Sequence, residues 1–193
     1  MSRLPPVPRE ELNPEQQEFH DHFHEVVSQK GPPGASEKAG KTLLPFLVVL
    51  PKTGRRNVDM MGVLEDETED LPNDAKETAN LVCTAHFRCA FVTQAHKMLA
   101  IKLTSVTQKQ AESIIAGAKP PDLNENCSIA YDTAYALVVV RGPLPQELWN
   151  RCLEAFGREG TVGLVHYVSL IAWTCMGLNA CDVPAPEGAP GQG

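Results

Sequence analysis

The stretch Thr161–Cys181 (TVGLVHYVSLIAWTCMGLNAC) contains no Asp, Glu, Lys or Arg. A helix spanning it is apolar on nearly every side, so it belongs inside protein or inside a membrane. Gly163, His166, Ser169, Thr174, Gly177 and Asn179 interrupt it, and no aromatic-plus-basic anchor follows; the chain runs on into Asp182, Pro184 and Pro186. Those features disfavour lipid. The segment is therefore expected to pack in a core or a subunit interface, with no membrane as partner.

The rest of the chain reads as helices separated by turn residues. Asn13-Pro14-Glu15-Gln16 has an N-cap, a proline at N1 and an early acidic residue, and predicts a helix from there to about Gln29, closed by Gly31-Pro32-Pro33-Gly34. Leu43–Leu50 is apolar but holds Pro45; a short helix is favoured because no sheet partner is evident. Asn73–Leu103 lacks Pro and Gly and repeats apolar residues at helical spacing, as one helix or as two meeting near Arg88–Ala90. Thr107-x-x-Gln110 is a capping box for a helix ending near Gly117. Further helices are expected over Glu125–Val140, from Pro145 to Gly157, and over Thr161–Ala180. The expected fold is an all-α bundle of one domain over 13–183, preceded by an extended arm over 1–12 and followed by a disordered tail over 184–193.

Hydrophobic residues at 42% suit a chain with a sizeable core, and a net charge of −7 opposes nucleic acid as a partner. Glu65, Asp66, Glu67, Glu69, Asp70 and Asp74 crowd together and read as a solvated loop. The six cysteines form no CxxC pair, so no metal knuckle is expected, and most read as small buried hydrophobes. The first eight residues offer no apolar signal core, so reduced thiols in a cytoplasmic setting are expected.

The residues able to carry chemistry lie in Glu77…His86…Cys89…His96. Cys89 and His96 are two helical turns apart on one face, and a histidine there can shuttle protons or hold a thiolate. Glu77 precedes Cys89 by twelve residues, about 120° around a straight helix, so a Glu–Cys–His cluster needs a helix break or a fold that returns the chain. Apolar neighbours of His96 (Phe91, Val92 and Ala95) are expected to lower its pKa and keep the ring neutral. The bland alternative is a dipole-partner glutamate and a core histidine.

Three segments, RLPPVPREELNPEQQEF, LPNDAKETANLVCTAHFRCAFVTQAH and FGREGTVGLVHYVSLIAWTCMGLNACDVPAPEG, resemble carboxymuconolactone decarboxylase-like (AhpD-like) proteins. The resemblance implies an all-helical bundle that forms homo-oligomers, trimers or hexamers. Alkylhydroperoxidase D-type members use a Glu, a Cys and a His around a CxxC; Glu77, Cys89 and His96 match these, while Val92 stands at the second cysteine. Hydroperoxide turnover with a dihydrolipoyl-type reductant is therefore expected to be negligible. Decarboxylase-type members carry Tyr-x-Trp or Tyr-Glu-Trp ahead of the histidine, where this chain has Phe91, Val92 and Thr93. The implied function is a cofactor-independent, metal-free enzyme doing proton-transfer chemistry (isomerisation, lactone chemistry or decarboxylation) on a small apolar acid or enolisable carbonyl compound. His96 and Glu77 would be catalytic; Cys89, His86, Phe91, Val92 and Thr93 would line the pocket. The alternatives are a thiol-dependent peroxidase using Cys89 and a non-catalytic ligand-binding oligomer.

Overall fold

A computed structural model describes residues 2–184. The expected tail, from residue 185 onward, lies outside the described residues. Within them the chain is all-α, with nine α-helices and no strand. Its contacts gather it into two compact units, residues 2–66 with 177–184, and residues 67–176.

The first unit opens with a short 3-10 turn, Arg9–Glu11, and helix α1 (Pro14–Lys30). Asn13 caps α1 reciprocally with Gln16, as the sequence pattern requires. Helices α2 (Ala35–Thr42), α3 (Leu44–Leu47) and α4 (Pro51–Glu67) follow. Phe19 and Phe23 from α1 are fully buried with Leu44, Leu47 and Val58. Gly54 on α4 lies so close to Phe19 and the Leu47 carbonyl that a Cβ there would sit 2.8 Å and 2.7 Å from them. Polar links brace the surface: Arg9 grips Asp21 with both arms at 2.7 Å and 2.6 Å, and Lys30 pairs with Asp66. The arm expected to be merely extended is anchored, since Arg3 N–H donates to the Cys181 carbonyl at 2.7 Å.

The acidic run read as a loop is one only at Glu69 and Asp70, while Asp74 lies in the first turn of the next helix and the first three acids belong to α4. Glu65, Asp66 and Glu67 form its last turn. The buried face of α4 is Gly54, Asn57, Val58 and Leu64, too small and polar to register as an apolar stripe.

The second unit is built on α5 (Asn73–Phe87), whose residues Ala75, Thr78, Ala79, Leu81, Cys83 and Thr84 are fully buried. Helices α6 (Ala90–Leu103), α7 (Gln108–Ile115) and α8 (Glu125–Tyr135) pack around it. Asp74, in the first turn of α5, accepts from Ser105 at 2.7 Å and from Asn124, the N-cap of α8, at 2.8 Å. Burial opposes its charge, but these donors outweigh burial and hold its carboxyl below the usual range. Thr107 and Gln110 form the expected capping box of α7.

A π-helical turn, Ala136–Val140, ends at Arg141 in left-handed conformation. The span α9 (Gln146–Ala180) contains the two helices expected on either side of Gly157, whose non-helical backbone (φ 66°, ψ −174°) separates them at a kink. By length and composition α9 could cross a membrane, yet 61% of its most apolar window is buried within the protein. Leu164, Val168, Ile171 and Cys175 form its inner face, while Val162, His166, Ser169 and Met176 trace an exposed stripe.

Candidate functional site

The site begins with a helix ending. Arg88 adopts φ 52°, and the N–H groups of Arg88 and Cys89 return to the carbonyls of Ala85 and Thr84. This is a Schellman motif with arginine where glycine is usual, and a left-handed non-glycine residue stores about 1–2 kcal/mol of strain. Cys89 is then extended and becomes the N-cap of α6. The break folds α6 back along α5, which is the geometry a Glu–His cluster needs.

Glu77 and His96 meet because of that hairpin. His96 Nδ1 lies 2.8 Å from Glu77 Oε2, with their side chains 16% and 15% exposed. Asn80, one turn beyond Glu77 on α5, places Nδ2 3.5 Å from Glu77 Oε1 and 3.3 Å from His96 Nδ1. With Nδ1–H donating to Glu77, the Asn80 amide cannot also donate to Nδ1, so its donor belongs to the second carboxylate oxygen. Asn80 is 3% exposed, and its Oδ1 has no partner among the described residues.

The charge balance reverses one expectation. Burial lowers the His96 pKa, as its apolar neighbours suggested, but the charge and hydrogen bond of Glu77 outweigh burial and raise it above 6.5. The ring therefore favours holding its second proton. No hydrogen bond reaches Nε2 among the described residues, so that nitrogen is the one left for chemistry.

Cys89 behaves unlike its fellow thiols. All six cysteines are free and buried. Burial pushes Cys83 up to about 12 and Cys127 up to about 11. Cys89 is drawn down instead, chiefly by the neighbouring Cys175 thiol on α9, against burial and with help from the Val92 amide at the start of α6. Its sulfur makes no well-formed capping hydrogen bond, so the Val92 contribution is a weak one.

The other expected site residues disperse. His86, edge-on to Phe87, borders a cleft of about 510 Å³ together with Val138, Arg141, Val168 and Ala172. Cys89, Phe91, Val92, Thr93 and His96 are not on its wall. Val92 is 5% exposed, and Phe91 and Thr93 are half-buried on α6. Among the described residues no group of three or more His, Cys, Asp or Glu could hold a metal ion. Sequence reasoning missed Asn80, Cys175 and Arg141. Only Asn80, at i+3 from Glu77 on one helix, carried a signal that could have found it.

No family model matches the chain, and a search of curated proteins finds no match. Solved structures do. The apo debrominase Bmp8 is similar with a TM-score of 0.68 and 12% identity, over 95% of this chain and 92% of that one. A cysteine-to-alanine variant of Bmp8 in complex with 2,3,4-tribromopyrrole gives the same TM-score and identity, over 95% and 91%. At this identity the likeness shows a shared all-helical fold, and it is compatible with the resemblance to carboxymuconolactone decarboxylase-like proteins.

Proposed function

We propose that this chain is a cofactor-independent enzyme of the carboxymuconolactone decarboxylase-like family that transfers protons on a small, largely apolar acid or enolisable carbonyl compound. The observation that carries the reading is the 2.8 Å contact between His96 Nδ1 and Glu77, with Nε2 free of protein partners among the described residues. Isomerisation, lactone chemistry and decarboxylation share one need: a proton delivered to, or taken from, carbon at an enolate-like intermediate. The raised pKa of His96 suits delivery. Nε2–H gives its proton to the enolate carbon, the neutral ring keeps its Nδ1–H on Glu77, and a proton taken from substrate or water restores the imidazolium. Asn80 fixes the carboxylate through its other oxygen. The six free thiols are those a reducing, cytoplasmic compartment would maintain.

The test is solvent deuterium exchange into a panel of β-keto acids and enolisable lactones, followed by NMR. Wild type is expected to accelerate exchange of at least one probe, and His96→Gln to lose at least about 10²-fold while keeping its helical spectrum. A well-folded His96→Gln protein working at near wild-type rate would remove His96 from the mechanism.

A second reading, thiol chemistry at Cys89, is favoured by one observation: alone among the buried cysteines with a resolved shift, Cys89 is drawn toward the thiolate. Alkylating that thiol separates the two readings. It abolishes thiol turnover and leaves a histidine-driven reaction partly active.

A further inference from the structure

The cleft of about 510 Å³ in the second unit has neither Glu77 nor His96 on its wall. Most of that wall is apolar: Phe87 from the end of α5, Leu137 and Val138 from the π-helical turn, and Val168 and Ala172, one turn apart on α9. Three polar side chains complete it, His86, Arg141 and Ser169. Ser169 Oγ donates to the Val165 carbonyl at 2.8 Å, so it offers a ligand only an acceptor. Arg141 and His86 are uncommitted. The chain carries 24 acidic residues against 17 basic ones, yet among the described residues the Arg141 guanidinium has no carboxylate partner and no hydrogen bond. His86 lies edge-on to Phe87, and neither of its ring nitrogens is hydrogen-bonded among the described residues. The backbone under Arg141 is also unusual. The turn closes in π fashion, with the Arg141 N–H returning to the Ala136 carbonyl, five residues back, at 3.0 Å. Arg141 itself is left-handed, at φ 61° and ψ 65°, although Gly142 follows at once. A left-handed arginine is disfavoured where glycine would not be, and such strain concentrates where a side chain must be held for function.

We propose that this cleft is a second ligand site, which binds a small monocarboxylate with an apolar body: Arg141 takes the carboxylate, with His86 beside it, and the apolar wall takes the body. The site goes beyond the proton-transfer reading and uses neither Glu77 nor His96. One guanidinium presents two parallel N–H donors, which match the two oxygens of one carboxylate. A phosphate monoester would bring a further charge and a third oxygen, and no second arginine or lysine stands on the wall to meet them. A neutral apolar ligand would strip water from Arg141 without replacing the lost hydrogen bonds. The volume falls within the range of about 300–1,000 Å³ usual for small-molecule sites, and an apolar wall with a few polar groups is their ordinary composition.

The experiment titrates the full chain with sodium trans-cinnamate, followed by calorimetry and by NMR of the backbone amides, with cinnamyl alcohol as the neutral analogue of the same body. Wild type is expected to bind cinnamate saturably at one site per chain, with shifts centred on His86, Phe87, Val138 and Ala172, and to bind the alcohol at least about tenfold more weakly. Arg141→Gly removes the guanidinium and relieves the left-handed backbone, so it is expected to keep the fold and to weaken cinnamate at least about tenfold. Arg141→Gln reads the same loss if the added glycine loosens the turn. Ala172→Phe fills the cleft and is expected to abolish binding, while His96→Gln is expected to leave it unchanged. Equal affinity for acid and alcohol, or for wild type and both Arg141 variants, overturns the carboxylate site. So does cinnamate bound normally by a folded Ala172→Phe protein, or no saturable shift at all, the result if a second copy of the chain covers the cleft. Binding lost in His96→Gln overturns the separateness of the site and moves the ligand to the Glu77–His96 pair. The readout is binding alone, so a failure of deuterium exchange sinks the proton-transfer reading and leaves this one standing.

Discussion

Glu77→Gln isolates the charge that raises the His96 pKa while preserving the shape of the contact. The pair is 2.8 Å apart and its side chains are only 16% and 15% exposed, so solvent screens it far less than a surface pair. A hydrogen bond to a charged group contributes about 1.5–3 kcal/mol against about 0.5–1.5 for a neutral one, so the change removes about 1–1.5 kcal/mol. For a chain of this length that lowers Tm by about 2–6 °C. The sign with pH follows from the direction of the shift. The folded pKa lies above the ordinary 6.5, so the contribution is complete below about pH 6.5 and is lost as pH rises through the raised folded value. Urea unfolding of wild type and variant is expected to differ most at pH 6 and least at pH 9. In the variant burial acts on the ring without Glu77's charge, so NMR titration of His96 should move to lower pH than in wild type. An unchanged His96 titration, or the same stability difference at both pH values, would refute the reasoning.

Gly54→Ala drives a methyl against the Leu47 carbonyl and the buried Phe19 ring, and is expected to destabilise by about 1–3 kcal/mol in urea titrations. Alkylation of Cys89 by a small reagent, followed peptide by peptide, should set in at lower pH than alkylation of Cys83 and Cys127; equal pH dependence of the three would contradict the environments described. Light scattering is expected to give a homo-oligomer, a trimer or hexamer, with Val162 and Met176 on the exposed stripe of α9 as the first residues to test for weakened assembly; a clean monomer at micromolar concentration would count against this.

Helices with chemical punctuation were legible, and helices without it were not. The boxes at Asn13/Gln16 and Thr107/Gln110 announce their helices because each needs only residues three apart. Helix α2 buries no residue at all, and α4 buries glycine and asparagine, so neither shows the apolar period that sequence reading depends on. The boundary between α5 and α6 falls where the sequence left open two helices meeting near Arg88–Ala90; it rests on Arg88 in a left-handed conformation, a place where glycine would have decided between one helix and two. Gly157 was legible for the opposite reason: it reads as a terminator, and its non-helical backbone divides α9 at that point as expected.

The site divides along the same line, by sequence distance. The types of Glu77 and His96 made them candidates, but the state of the ring depended on which of two opposed effects was larger. The neighbours along the helix argued for a neutral base. The fold sets a carboxylate 2.8 Å from Nδ1, and the charge outweighs the burial. A ring that holds its proton starts a catalytic cycle as an acid, so substrates that need protonation at carbon fit it better than those that need first deprotonation. For Cys89, local reading sought a partner one turn away and found Val92. The group that lowers its pKa, Cys175, comes from Thr161–Cys181, the uncharged later stretch of α9 that had been read only as a segment to be buried in a core or an interface.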